Sequence, residues 1–114
     1  MAHKLKAADL KKLQTRDQNQ CWHCGSEETI TVQHRANRGM GGSKFRDQPS
    51  NLILLCWFVN FEMEASSVKA KVAKEYGWKL LSTDDSSAVP VYHYSSGTWR
   101  LLDDKWGFIT IEGK

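Results

Sequence analysis

No apolar run in this chain exceeds the eight residues Leu52–Val59, far short of the ~20 needed to cross a bilayer. Residues 1–13 alternate lysines with leucines and lack the apolar core of a secretion signal, so a cytoplasmic setting without membrane contact is expected. Cysteine is scarce, and its count of three is odd, which argues against a secreted disulfide scaffold. Internal repeats and low-complexity tracts are absent, and 114 residues leave little room for a second core. One domain spanning 1–114 is expected.

The residues present describe an ordinary folded protein: 40% are hydrophobic and 25% charged. The net charge of +3 is unevenly spread, with nine Lys/Arg against five Asp/Glu in residues 1–50 and seven against eight thereafter. Between Arg35 and Arg46 the bases Arg35, Arg38, Lys44 and Arg46 meet no acid. Such a patch suits a polyanion, because phosphate contacts release counterions. A solvated basic loop would read the same way.

Two cysteines form Cys21-Trp22-His23-Cys24. Gly25 and a turn-rich Ser26-Glu27-Glu28 follow at once, which favours a metal knuckle over a redox pair at a helix start. Before the knuckle, about residues 4–16, Leu5, Ala8 or Asp9, Leu10 and Leu13 recur at helical spacing. After it, Thr29–His34 is β-branched and alternating, as in a strand. Residues 35–50 hold Gly39, Gly41, Gly42 and Pro49 and read as a loop whose glycines could let backbone approach phosphates. Leu52–Leu55 reads as a second strand. Helical spacing of Val59, Met63, Val68, Val72 and Tyr76 then predicts one long helix over about 59–76, ended by Gly77. Val89–Tyr94, a Ser95-Ser96-Gly97 turn and Thr98–Leu102 predict a β-hairpin, with Phe108–Ile111 as a third strand. The tryptophans Trp78, Trp99 and Trp106 are expected mostly in the core.

Knuckle, strand ending in His, Gly-rich basic loop, Asn-led strand, then helix: over about residues 19–78 this order resembles the HNH endonuclease (ββα-metal) family, in particular its small phage-type members. The resemblance rests on VQHRANRGMGGS, on SNLILLC and on the residue four beyond that cysteine. It implies an α+β ββα-metal core, here with an N-terminal helix and a C-terminal hairpin over about 88–112. The three motif positions fall on His34, Asn51 and Asn60. A DNA endonuclease or nickase in a bacteriophage or prophage setting is implied, within the bacterial host cell and near the packaging machinery; a homodimer would let two nicks combine.

Phosphodiester hydrolysis explains why those residue types serve. A neutral imidazole can take a proton from water at neutral pH, the role of His34. Asn51 could hold that ring or brace the loop. A catalytic Mg²⁺ or Mn²⁺ held by side chains at 33 and 60 plus phosphate oxygens would offset the charge of the scissile phosphate. Gln33 stands where the family usually carries Asp or His, so the ion would be held weakly, with Glu64, one turn after Asn60, as a candidate carboxylate. Arg35 and Arg38, then Lys44 and Arg46, are the candidate phosphate contacts. Each has a plainer reading: a core histidine for His34, turn chemistry for Asn51, a helix N-cap for Asn60, an exposed glutamate for Glu64.

The resemblance also implies a four-cysteine zinc site, of which Cys21, Cys24 and Cys56 fill three places while Val59 stands in the fourth. Water or a remote histidine (His23, His3 or His93) could complete a Zn²⁺ site. The alternative is a metal-free cluster of Trp22, Phe58 and Val59, which the four-ligand habit of structural zinc favours. Two other functions fit the chain: a degenerate HNH protein that binds DNA without cutting, and a zinc-ribbon-like module whose target is protein.

Overall fold

The structure, a computed structural model, describes residues 5–36 and 47–112. Helix α1 (Ala7–Asp17) leads to strand β1 (Ile30–His34), a 3₁₀ turn (Pro49–Asn51), strand β2 (Leu52–Cys56), helices α2 (Trp57–Ala65) and α3 (Ser67–Glu75), and strands β3 (Val91–His93), β4 (Thr98–Leu102) and β5 (Phe108–Ile111). The chain is therefore a mixed α+β domain, and among the described residues no helix is long and apolar enough to cross a membrane.

β1 and β2 form an antiparallel ribbon in which Ile30 faces Cys56 and His34 faces Leu52. Every residue of β2 is buried, because this two-stranded ribbon is covered on both sides. Side chains alternate along a strand, and two clusters follow from that. Ile53 and Leu55 join Val59 and Met63 of α2, together with Trp22, Trp78 and Val91. Leu52 and Leu54 join Leu13 of α1, with Val32 and Trp106 packed against them. The second sheet, β3-β4-β5, is also antiparallel, and both it and the ribbon follow the expected strands.

The long helix differs from expectation. It breaks at Ser66, whose backbone is extended (φ −124°, ψ 126°) and whose hydroxyl accepts a bond from the Lys69 N–H. One residue thus closes α2 and caps α3. The break interrupts the apolar series: Val59 and Met63 are buried and Val68 is 69% exposed, while Tyr76 stacks on Trp78 and Trp99. Helix α2 also starts earlier than expected, directly after β2, with Cys56 as its N-cap. Asn60 is therefore in the helix body and the N-cap reading of it is corrected.

The end of α3 follows the expected pattern. Gly77 has φ +78°; its N–H bonds the Lys74 carbonyl, and the Trp78 N–H bonds the Ala73 carbonyl. This is the paired closure of a Schellman ending. The turn carries the chain to Leu80, whose N–H bonds the Arg35 carbonyl at 2.7 Å, so the segment after β1 and the segment after α3 run side by side.

Candidate functional site

His34 ends β1, and its Nε2 lies 2.8 Å from Asp47 Oδ1, with the two side chains 18% and 23% exposed. The pair is sheltered but reachable by solvent. A neutral imidazole that donates Nε2–H to a carboxylate has Nδ1 as its basic nitrogen. Asp47 was not foreseen. Its one signal in the sequence is that it is the first acid after the basic run, just before the Pro-Ser-Asn turn.

Asn51 is buried and braces the chain beyond His34. Its Oδ1 accepts from the Ala36 N–H at 2.8 Å, and its Nδ2 donates to the Ala36 carbonyl at 3.1 Å. Of the two roles open to it, loop bracing is the one these contacts give. The antiparallel register carries the other consequence. His34 sits beside Leu52, whereas α2 starts beyond Cys56 at the Ile30 end, about 13 Å away along the ribbon at ~3.3 Å per residue. The register thus sets His34 at the end of the ribbon away from the start of α2.

Alternation also turns neighbours apart. Gln33 shares the ribbon face of Ile53 and Leu55, which α2 covers, while His34 shares that of Leu52 and Leu54, which α1 covers. The Gln33 amide donates to the His34 carbonyl at 3.2 Å. On α2, Asn60 Oδ1 is buried with no hydrogen-bond partner among the described residues. Glu64 is exposed and lies 3.5 Å from Lys79 Nζ.

Arg35, expected to meet phosphate at the surface, is instead fully buried. Its guanidinium donates to the carbonyls of Gly77, Ser50, Ser86 and Val89 at 2.8 to 2.9 Å. Burial, reinforced by the charge of Arg16, lowers its pKa to about 9, so it remains a cation at neutral pH with carbonyl oxygens replacing water. Arg35 is a structural clamp, and the phosphate-contact expectation for it is corrected. Arg38, Lys44, Arg46, the 39–42 glycine stretch and His3 lie outside the described residues.

The sulfurs of Cys21, Cys24 and Cys56 lie within 4.8 Å of one another, with Cys24 and Cys56 3.8 Å apart. A tetrahedral ion with ~2.3 Å metal–sulfur bonds spaces its ligands about 3.8 Å apart. The group could therefore hold a metal ion with little movement. Burial pushes the Cys21 thiol up to about 12, although the backbone N–H groups of Cys56, Cys24 and His23 aim at its sulfur and favour the thiolate. Trp22 and Val59 share the core cluster that holds Cys21 and Cys56, while Phe58 is 63% exposed, so the expected apolar cluster forms without Phe58.

Neither His93 nor His23 joins the three thiols. The His93 ring stands edge-on to Trp22 and its Nδ1 lies 2.8 Å from Ser96 Oγ. His23 packs on Trp78 at 4.6 Å; burial, then the Lys69 charge, lowers its pKa against the opposing pull of Glu62. Among the described residues, the three thiols are the one grouping of three or more Cys, His or carboxylate ligands close enough for an ion.

Compared with family models, with curated proteins and with solved structures, the chain matches none.

Proposed function

We propose that this chain is a small HNH-type, ββα-metal endonuclease that cuts or nicks DNA, and the observation that carries the reading is the half-sheltered His34–Asp47 pair at the end of the ribbon. With its proton fixed on Nε2, His34 takes a proton from water through Nδ1 as the oxygen attacks phosphorus and the 3′ oxygen departs. Asp47 orients the ring and balances the imidazolium that forms. Asn51 holds the start of the basic loop through Ala36.

A Mg²⁺ or Mn²⁺ ion would draw on the unpartnered oxygen of Asn60, with Gln33 and Glu64 as further oxygen donors, on the α2 side of the ribbon and so across its edge from His34. Only Glu64 is charged, so affinity without DNA is expected to be weak. When bound, the ion supplies charge neutralisation at the phosphate. The three thiols would in this reading hold a structural Zn²⁺ ion, with water completing the set where the resemblance has a cysteine and this chain has Val59.

Supercoiled plasmid with Mg²⁺ or Mn²⁺ tests the proposal. Wild type converts it to the open circle. His34→Ala lowers the rate by about 10²–10⁴-fold, and Asp47→Asn by about ten-fold or more through loss of ring orientation. A gel shift without nicking would favour the second reading, DNA binding without cleavage. That reading draws on the alternation that sets His34 and Gln33 on opposite ribbon faces.

A further inference from the structure

On the α1 side of the ribbon lies an open groove of about 520 Å³, lined by Ala8, Lys11, Lys12, Thr15, Arg16 and Trp106. Residues 8, 11, 12 and 15 recur at helical spacing, so one face of α1 forms a wall. The opposite wall is the turn between β4 and β5. Asp103 folds that turn by accepting the Lys105 and Gly107 N–H groups, each at 2.8 Å. Trp106 stands in it with φ +65°, a conformation that sterically penalises any side chain but glycine. The ring is half-buried, with the Arg16 guanidinium 5.9 Å from its centroid. Arg16 is itself buried and tied to Asp17 and to the Pro49 carbonyl, so it fixes the ring and leaves Lys11 and Lys12, both exposed, as the groove's free cations. The nearby acids are committed or set back: Asp103 to its turn, Asp104 to the Ser50 N–H at 2.9 Å, and Asp9 half-buried on α1.

We infer that this groove is a track for single-stranded DNA, with a base stacked on Trp106 and phosphates on Lys11 and Lys12. An aromatic face beside paired lysines fits a strand whose bases are unpaired, since every base offers a π-face and every nucleotide a charge. Hydrogen bonds tie the groove's walls to the candidate site. Arg16 reaches Pro49 at 2.9 Å and Asp104 reaches Ser50, two and three residues from the Asp47 that pairs with His34. His34 also shares the ribbon face that α1 covers. The choice of DNA over RNA rests on the nuclease reading; the groove itself does not.

Fluorescence anisotropy with a short labelled single-stranded DNA, without added divalent ion, tests this. Trp106→Leu, which keeps apolar bulk but cannot stack, is expected to weaken binding about ten-fold, the size of one lost base–aromatic stack. Trp106→Phe, a smaller stacking ring, is expected to stay much closer to wild type. Lys11→Ala with Lys12→Ala is expected to reduce the slope of log affinity against log salt by about 1.4, two single-strand contacts' worth. Unchanged binding in Trp106→Leu, an unchanged salt slope in the lysine variant, or preference for duplex of the same sequence would overturn the track. Plasmid nicking by wild type is scored separately. Trp106-dependent binding without nicking keeps the groove and removes the nuclease, and nicking with Trp106-independent binding does the reverse.

Discussion

A histidine's environment decides whether it can work as a base, and two histidines here differ in that respect. His34 keeps a solvent-reachable ring against a carboxylate. His93 is buried, with Arg100's charge nearby, and these two causes in that order lower its pKa to about 4. The unfolded chain binds a proton at this position near pH 6.5, while the folded chain refuses it until about pH 4. Unfolding therefore takes up a proton within that window, so stability contributed by His93 is complete above about pH 6.5 and is lost as pH falls. Urea midpoints measured from pH 7 to pH 4 should decline, and His93→Phe should flatten the decline. An equal slope in that variant would assign the acid sensitivity to other groups. The same residue-scale contrast explains what the sequence concealed. Arg35 looks like its basic neighbours because the carbonyls that cage it belong to residues 50, 77, 86 and 89, and no local pattern announces them. Asp47 was equally hidden, since its partner is defined by a loop closure and not by spacing.

At the scale of elements, the strands were legible because β-branched and aromatic alternation reports a half-buried pleat directly; β5 falls on the expected residues. The two-helix break was not legible, because the spacing of Val59, Met63, Val68, Val72 and Tyr76 continues straight through Ser66. The capping serine and its extended backbone override that periodicity. Gly77 is where an element end becomes a tertiary joint. A Cβ built there would stand 2.1 Å from the Pro90 carbonyl oxygen, on a backbone with φ +78°. At Gly97, φ is +65° but the nearest atom would be the Tyr92 hydroxyl at 3.8 Å. Gly97→Ala thus measures the left-handed penalty alone, about 1 kcal/mol. Gly77→Ala adds a clash with backbone that cannot rotate aside and should cost roughly 2–4 kcal/mol. Chemical denaturation of both variants checks the ordering; equal losses would mean that β3 yields and that the α3–β3 joint is not rigid.

Across the whole molecule, the thiol triad adds to a junction already held by the Trp22 N–H bond to the Leu54 carbonyl and by shared core packing. Cys21 and Cys24 lie before β1, and Cys56 joins β2 to α2, so an ion there would close a loop of more than thirty residues, with Cys24 and Cys56 separated by 32 positions. The same ion would fix the knuckle against the N-terminus of the helix that carries Asn60 and Glu64. Because binding to the folded state alone adds RT ln(1 + [L]/Kd), a hundred-fold excess over Kd is worth about 2.7 kcal/mol, roughly 10 °C in Tm for a domain of this size. Proton competition sets the pH dependence. With the Cys21 thiol held up to about 12, the metal-free protein keeps that proton at neutral pH, and binding must displace it. The zinc-dependent rise in Tm should therefore grow as pH is raised from about 6 to 8, with acid released on titration of zinc into unbuffered protein. Cys24→Ser should abolish most of the rise while leaving the metal-free Tm nearly unchanged, since that side chain sits at the surface. A melting curve indifferent to zinc and chelator at every pH, with no zinc by elemental analysis, would leave the three thiols as packing groups. The link between α2 and the ribbon would then rest on the packing of Ile53, Leu55, Val59 and Met63 and on the Trp57 N–H bond to the Thr29 carbonyl.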